Sequence, residues 1–289
     1  MLRIVTDGAA DMPPNWADKY EINIIPINIH FLERTYLQGV DISNEDFYQI
    51  VEQNGTIPKT SQPTPHQFID FYHQIAEIGD TILSMHVTSK LSGTFESAQL
   101  AARDLRDKFK IILFDSASGS AALGFMCKEA RLMARAGKSI DAILGRMNYI
   151  KKNINITLAL NTLEYARLSG RVKTLQAALA SLLNVKAIIV LQDGNLDMAE
   201  KVRTRQRSLE CIIERTRSKV GEKMVNVAVV QARDIDAGYS LMEHVKDVFN
   251  CKELVMTDLS ISVAANLGPG TIGIVAYPIG DDITDVEIK

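Results

Sequence analysis

Cysteine is scarce in this 289-residue sequence, which has only Cys127, Cys211 and Cys251, far apart and in no CxxC spacing. An odd number leaves at least one thiol unpaired, so the fold cannot depend on a disulfide framework. Neither the cysteines nor the five histidines show the spacing of a metal site, so no metal is expected. Because the opening MLRIVTDGAADM has no signal-like segment, we expect a reducing, cytoplasmic location.

An excess of charge of one sign is also missing. The 32 basic and 35 acidic residues leave a net charge of −3, whereas proteins that bind nucleic acid need a basic surface to neutralise phosphates. The longest apolar runs, such as AIIVL at 187–191, are far shorter than the roughly 20 residues that cross a bilayer. We therefore expect no nucleic-acid partner and no stable membrane insertion. The basic cluster KVRTRQR at 201–207 is the one local exception in charge.

Common catalytic and nucleotide-binding motifs are absent or incomplete. No GxSxG nucleophile elbow occurs, and GKS at 137–139 lacks the earlier glycine of a phosphate loop because Leu132 stands there. GPGTIG at 268–273 matches the dinucleotide-binding GxGxxG, but its last residues begin a strand-like run where such a site needs a helix. These glycines are predicted to form a tight turn that lets the backbone approach a neighbour.

Segments rich in β-branched residues alternate with helical patterns along the whole chain. Capping sequences give the clearest helix starts, SNED at 43–46 and TPHQ at 64–67, the latter with Thr64 as N-cap. DGN at 193–195 predicts the turn of a hairpin. Strands are predicted at 2–6, 22–31, 81–87, 110–115, 154–160, 185–192, 225–231, 253–257 and 271–277, and helices at 43–53, 64–79, 94–107, 120–136, 139–151, 174–183, 203–219 and 236–249.

This order predicts an α/β protein of two lobes. Strands and helices alternate in the first half, which favours a doubly wound parallel sheet, and the second half favours an α+β lobe with a mixed sheet. We place the lobes at 1–154 and 155–289, with a ligand cleft between them and the segment 59–79 at the interface.

Hydroxyl-bearing residues cluster where two predicted helices begin. KTSQPT at 59–64 leads into one helix and SKLSGTF at 89–95 into another, while NLGPGT at 266–271 is a glycine turn. Helix N-termini offer unpaired N–H groups and partial positive charge, and hydroxyls add donors, so a small anion could be held there. The alternative is that these hydroxyls only cap their helices.

At these segments the sequence resembles the DegV family, bacterial proteins that bind long-chain fatty acids. SKLSGTFESA at 89–98 closely matches the most diagnostic segment of that family, and the other similarities follow in the same order along the chain. They are TDGAAD at 6–11, KTSQPT at 59–64, FDSASGSAALG at 114–124, LEYARLSGRV at 163–172 and LGPGTIG at 267–273.

The resemblance implies a lipid-binding protein without catalytic residues or cofactor. An acyl chain is expected between two α/β lobes, and a separate fatty acid kinase subunit is expected to phosphorylate the bound carboxylate. The implied lipid-binding residues are Thr60 and Ser92, which contact the carboxylate directly, with Ser61, Gly93, Thr94 and Asn266 as further candidates. Arg171 and Arg203 are the implied residues for kinase docking or phosphate contact.

Two positions depart from the family pattern. Asn266 stands where relatives commonly have His before the glycine turn, and Asn cannot carry a proton's charge. Gly8 replaces the usual Ser in the first motif. If that His assists phosphoryl transfer in relatives, the change to Asn266 affects kinase coupling and not lipid binding, whereas Gly8 removes one hydroxyl. Two other functions stay open, a lipid hydrolase or thioesterase that uses Ser92 as nucleophile, and a nucleotide-binding protein that uses the glycine turn.

Overall fold

A computed structural model describes residues 1–172 and 185–280 of the chain. In chain order the strands are β1 Leu2–Asp7, β2 Ile22–Ile25, β3 Asn28–Phe31, β4 Arg34–Leu37, β5 Lys59–Ser61, β6 Thr81–His86, β7 Lys110–Asp115, β8 Asn155–Ala159, β9 Lys186–Gln192, β10 Asn195–Val202, β11 Val225–Gln231, β12 Cys251–Asp258 and β13 Ile272–Pro278. The helices are α1 Trp16–Lys19, α2 Asn44–Asn54, α3 Pro65–Ile75, α4 Thr94–Asp104, α5 Ser120–Arg135, α6 Ile140–Asn153, α7 Glu164–Ser169, α8 Arg205–Val220, α9 Ile235–Val248 and α10 Ile261–Leu267. The helix predicted at 174–183 lies outside the described residues.

The described residues group into two compact units. The first comprises Met1–Arg131 and Ser260–Asn266, and the second comprises 132–172, 185–259 and 267–280. The sequence predicts a division near residue 154, which would put α6 in the first lobe. In the structure α6 belongs to the second unit. The helix packs on β13, and Nη1 of Arg146 donates to the carbonyl of Ile279, 2.7 Å away.

The main sheet of the first unit is entirely parallel, in the order β2-β1-β6-β7. This confirms the parallel sheet predicted for the first half. The strand predicted over 22–31 is instead two strands in two sheets. Pro26 lies between them, and a proline has no N–H to continue a ladder. The second of the two, β3, is the centre of a small antiparallel sheet in the order β4-β3-β5.

Helices α3 and α4 bury apolar faces in the core of the first unit. Phe68 and Tyr72 of α3 are fully buried, together with Ala98 and Ala101 of α4, against strand residues such as Ile82. The predicted start of α3 is confirmed, since the Thr64 hydroxyl accepts from the Gln67 amide and the Gln67 side chain accepts from the Thr64 amide. The matching capping box of Ser43 and Asp46 starts α2.

The second unit contains a mixed six-stranded sheet in the order β10-β9-β8-β13-β11-β12. Only β11 and β12 are parallel, and β11 is buried along its whole length. The predicted hairpin is confirmed between β9 and β10, where Asp193 and Gly194 both have positive φ, as the favoured two-residue turn requires. No helix within residues 1–172 and 185–280 is long and apolar enough to cross a bilayer.

Candidate functional site

The carboxyl ends of the parallel strands carry several of the polar segments that the sequence singled out. β1 ends at Asp7 and leads into Gly8, β6 ends at His86 and leads into the segment 88–94, and β7 ends at Asp115 before a run of serines. Because the strands are parallel, these ends lie at one edge of the sheet. Ligands of open α/β sheets bind at this edge.

Ser92 lies one residue before the N-cap of α4. Its hydroxyl is 2.8 Å from the Thr94 hydroxyl and accepts from the Thr94 amide at 3.3 Å. The N-cap itself is Gly93, which has no side chain to cap the helix. Ser92 and Gly93 are half-buried and Thr94 is fully buried. The first turn of α4 therefore presents hydroxyl and amide donors without a conventional side-chain cap.

Thr60 and Ser61 lie in β5, the outer strand of the small antiparallel sheet. Thr60 pairs with Ile29 of β3. The segment of Thr60 therefore follows a strand of the small antiparallel sheet and not a strand of the parallel main sheet. Capping is also not the role of Thr60 and Ser61, since Thr64 caps α3.

The structure nevertheless brings the two hydroxyl segments together. The Gln62 side chain lies against Gly93, so that a Cβ built on Gly93 would stand 2.9 Å from Gln62 Nε2. Asn28 Nδ2 donates to the Gln62 carbonyl at 3.0 Å and thereby fixes the backbone of this segment. Neither Gln62 nor Asn28 was predicted from the sequence, although Gln62 stands inside the segment KTSQPT at 59–64.

The hydroxyls of this region differ in what they already bind. Among the described residues, the Thr60 hydroxyl has no hydrogen-bond partner. The Ser61 hydroxyl is 2.7 Å from His30 Nε2, and His30 Nδ1 is 2.9 Å from the Thr35 hydroxyl. Thr60 is thus available to a ligand, whereas Ser61 is held by a histidine that the sequence analysis did not select.

Asn266 belongs to the first unit through α10. Its Nδ2 donates to the Ser262 carbonyl at 2.6 Å. The Ser262 hydroxyl donates to the Gly8 carbonyl at 3.1 Å, and Gln38 Nε2 donates to the same carbonyl at 2.6 Å. Gly8 and Asn266, at which the sequence predicts departures from the family pattern, are therefore joined by hydrogen bonds through Ser262.

The glycine turn at 268–270 is a close backbone approach, as predicted. Gly268 and Gly270 both have positive φ, and a Cβ on either would stand within 3 Å of Tyr165 or Asn161. Thr271 closes the turn by donating to the Gly268 carbonyl at 2.8 Å. Strand β13 follows where a dinucleotide site needs a helix, so this motif is not a nucleotide fingerprint.

Arg171 and Arg203 lie in the second unit and are not brought together. Arg171 is half-buried, with Nη1 donating to the Ser169 carbonyl, and its neighbour Val172 pairs with Leu196 near the start of β10. Arg203 is exposed just beyond the end of β10. The two ends of this strand are roughly 20 Å apart at 3.3 Å per residue. The predicted helix start at 203 is early by two residues, since Thr204 is the N-cap and Arg205 the first residue of α8.

Among the described residues, serine and histidine side chains are hydrogen-bonded at two places, and neither includes Ser92. The first is Ser61 with His30, which is oriented by a Thr hydroxyl rather than a carboxylate. The second is Ser84 with His86, where Asp7 completes the residue types of a catalytic triad, but all three are fully buried. Within the described parts of the chain the Ser92 hydroxyl bonds only to Thr94, so it has no histidine as the general base that activates a serine nucleophile.

The thiols of the chain are poorly suited to nucleophilic chemistry. Burial raises the pKa of Cys127 to about 12. Burial and the neighbouring Glu200 raise the pKa of Cys211 to about 11, and burial also raises the pKa of Cys251. The raised pKa values keep these thiols protonated at neutral pH, whereas the thiolate is the reactive form. In residues 1–172 and 185–280 no three His, Cys, Asp or Glu side chains converge as a metal site.

Comparison with known proteins decides the family. A sequence model described as "Uncharacterised protein, DegV family" matches residues 1–279. The chain belongs to the DegV family. It is 27% identical over 275 residues to Protein DegV of Bacillus subtilis, covering 94% of this chain and 98% of that protein. It is 28% identical over 275 residues to a DegV domain-containing protein of Listeria innocua, covering 94% and 97%.

Solved structures of DegV proteins share the fold. A DegV family protein from Thermus thermophilus, described by its fatty acid binding, is 28% identical with a TM-score of 0.88, over 96% of this chain and 99% of that one. DegV from Bacillus subtilis, described as a fatty acid binding protein, is 26% identical with a TM-score of 0.84, over 96% and 99%. The family resemblance and the mixed α/β fold predicted from the sequence are confirmed.

Proposed function

We propose that this protein binds a long-chain fatty acid and catalyses no reaction itself, with the carboxylate held by the hydroxyls of Thr60 and Ser92. The observation that carries the proposal is the contact of Gln62 with Gly93, which puts the two hydroxyl segments side by side. The choice of ligand is supported by the relatives from T. thermophilus and B. subtilis, which are described as binding fatty acids.

The remaining candidates have secondary roles in this proposal. The Gly93 amide donates alongside Ser92, and the buried Thr94 hydroxyl, 2.8 Å from Ser92 Oγ, orients the Ser92 hydroxyl. Asn266 is a further candidate, linked to the Gly8 carbonyl through Ser262. Ser61 acts through its hydrogen bond with His30, which orients its hydroxyl. A helix N-terminus adds a favourable partial charge for the carboxylate.

The acyl tail supplies most of the affinity. Burying one methylene gains about 0.8 kcal/mol, so roughly 14 methylenes give about 11 kcal/mol before the costs of binding. The carboxylate loses hydration, and charge-assisted hydrogen bonds of about 1.5–3 kcal/mol each at best offset that loss. The head-group hydroxyls therefore fix the orientation of the ligand more than its affinity.

Native mass spectrometry of the purified protein tests the ligand class. The expected result is a co-purifying mass in the range of palmitate or oleate. A bound adenine or nicotinamide nucleotide would instead support the nucleotide-binding alternative, and turnover of a lipid ester by the pure protein would support the hydrolase.

Isosteric variants test the head-group residues. Thr60→Val and Ser92→Ala each remove one hydroxyl, and each is expected to weaken fatty acid binding by roughly tenfold or less, as the loss of one hydrogen bond does. Ser139→Ala is the matched control, because its hydroxyl accepts from the Ala142 amide and only caps α6. Binding by both site variants that equals the parent would contradict the assignment.

We further propose that the protein presents the bound fatty acid to a separate fatty acid kinase, in the cytoplasm. Arg203 is exposed and has no ion-pair partner among the described residues, which leaves it free for a partner. Arg207 is engaged by Glu210 and Glu214 on its own helix. Arg171 is the second candidate for contact with the partner or with phosphate.

Charge removal separates docking from lipid binding. Arg203→Gln is expected to weaken association with a fatty acid kinase catalytic subunit while the protein still retains its fatty acid. Arg207→Gln removes the same charge from a guanidinium that is already paired, and serves as control. Equal loss of lipid and kinase binding in Arg203→Gln would count against this division of roles.

A further inference from the structure

Four fully buried polar side chains form one hydrogen-bonded chain through the first unit. Asp7 Oδ2 is 3.0 Å from His86 Nδ1, His86 Nε2 is 2.7 Å from Ser84 Oγ, and Ser84 Oγ is 2.8 Å from the Tyr72 hydroxyl. All four residues have no exposed surface. We call them the Asp7–Tyr72 chain.

The donors and acceptors of this chain are mutually satisfied. In the arrangement that satisfies every member, His86 Nδ1 donates to the Asp7 side chain and His86 Nε2 accepts from the Ser84 hydroxyl. Ser84 in turn accepts from Tyr72. Burial raises the pKa of Tyr72 well above its ordinary value, which keeps the phenol protonated as a donor.

The Asp7–Tyr72 chain joins the elements that carry the two hydroxyl segments. Tyr72 belongs to α3, which directly follows the segment of Thr60, and His86 ends β6, which directly precedes the segment of Ser92. Asp7 also accepts from the Ala9 amide and from the Val87 amide, both at 2.9 Å. One carboxylate thus fixes the loops that leave β1 and β6.

The residue types would suit a catalytic triad, but the surroundings exclude that role. The Ser84 hydroxyl is bonded on one side to His86 and on the other to Tyr72, with no exposed surface for a substrate. Buried polar networks of this kind contribute little net stability compared with apolar packing, but they restrict the geometry of the elements that they join. The chain is therefore suited to positioning.

We infer that Tyr72, Ser84 and His86 are positioning residues. They hold the Thr60 and Ser92 segments in the relative position in which both hydroxyls can bind one carboxylate. This inference rests on the proposed function. It predicts that breaking the Asp7–Tyr72 chain reduces discrimination between head groups, while the binding of the hydrocarbon tail is largely kept.

The test compares a fatty acid with the fatty alcohol of the same length. The parent is expected to prefer the acid, and Tyr72→Phe, which removes only the hydroxyl, is expected to reduce that preference by about fivefold, as the loss of about 1 kcal/mol does. The control is Tyr277→Phe in the second unit, whose fully buried hydroxyl accepts from Asn226 Nδ2 at 2.8 Å. It is expected to lose comparable stability without changing the preference.

Ser84→Ala removes the hydroxyl between Tyr72 and His86 and so interrupts the Asp7–Tyr72 chain. It serves as a second variant if Tyr72→Phe folds poorly. An unchanged acid preference in whichever variants fold overturns the inference, provided that the parent shows the preference. A parent that binds both ligands equally, or neither, overturns the proposed function and the inference with it. If Tyr72→Phe and Tyr277→Phe changed the preference for the acid over the alcohol equally, the Asp7–Tyr72 chain would have only a general structural role.

Discussion

The side-chain amide of Gln62 occupies the space beside Gly93 that a larger residue would fill. A Cβ on Gly93 would meet Nε2 of Gln62 at 2.9 Å and its Cδ at 3.1 Å. Gly93 is the N-cap of α4, and its φ of −76° is accessible to any residue. The requirement for glycine at this position is therefore one of space and not of backbone conformation.

Gly93→Ala should displace the Gln62 side chain without unfolding the protein. Because the end of a flexible side chain can move, we expect a melting temperature near that of the parent. Fatty acid affinity should fall about threefold to tenfold, within the range of one hydrogen bond. Adding Gln62→Ala removes the clash, so the double variant should bind better than the additive sum of the two single changes predicts. Additive losses, measured by isothermal titration, would argue against this contact as the cause.

Gly8→Ser should destabilise this protein. A Cβ on Gly8 would stand 2.8 Å from Gln38 Nε2, and Gln38 bonds both the Gly8 carbonyl and the Ser262 amide. Displacing Gln38 should lower the free energy of unfolding by about 1–2 kcal/mol in urea denaturation. In a Gln38→Ala background the same change should cost much less, and an equal cost there would refute the coupling.

Much of the fold follows from the sequence because local signals agree with the tertiary structure. The capping boxes of Ser43 and Thr64 and the Asp193–Gly194 turn are chemical requirements that tertiary contacts do not override. β4 and β5 escaped prediction because they are short and carry no apolar alternation. β10 was implied only by the hairpin turn at 193–195, because charged residues interrupt its apolar pattern, and α10 was not predicted because small residues make up much of it.

The candidate site was predictable as segments but not as contacts. The sequence selected Thr60 and Ser92 through hydroxyls near helix starts and through family resemblance. It could not select Gln62 or His30, since their roles depend on how separate stretches of the chain come together. The buried pair of Asp7 and His86, 79 positions apart, carries no spacing signal at all.

Replacing each of two glycines on neighbouring elements of the second unit by alanine should change the free energy of unfolding in opposite directions. A Cβ on Gly273 in β13 would meet the Leu158 side chain and stand 2.6 Å from the Thr157 carbonyl, so Gly273→Ala should lower the free energy of unfolding by about 3 kcal/mol. Gly145 in α6 has nothing within 4 Å of that position, and Gly145→Ala should raise the same free energy by about 0.5–1 kcal/mol. Urea denaturation of both variants checks the signs, and destabilisation by both would contradict the packing described.

Asp80 should stabilise the protein at neutral pH and lose this effect in acid. Hydrogen bonds from the Met1 ammonium and from Arg3 lower the pKa of Asp80 below its ordinary value of 3.8. A lowered carboxyl pKa contributes stability above the unfolded-state pKa and loses it as the pH falls through the folded-state value. The difference in unfolding free energy between parent and Asp80→Asn should therefore be constant from about pH 7 to pH 5 and shrink below about pH 4.

The control for this pH series is Asp70→Asn. Asp70 is 68% exposed, and among the described residues it pairs only with the exposed His66 on its own helix, so its replacement should change stability little at any pH. A difference between parent and Asp80→Asn that grows toward acid would reverse the assigned direction of the pKa change.

The first unit is built from two distant stretches of chain, and this limits how it can form during synthesis. Ser260 donates its amide to Asp11, and Ser262 bonds both Gly8 and Gln38. A ribosome must translate all of residues 132–259 before it reaches these serines. The nascent amino-terminal unit therefore waits, with the Gly8 and Asp11 loops lacking these bonds, until the stretch 260–266 leaves the exit tunnel.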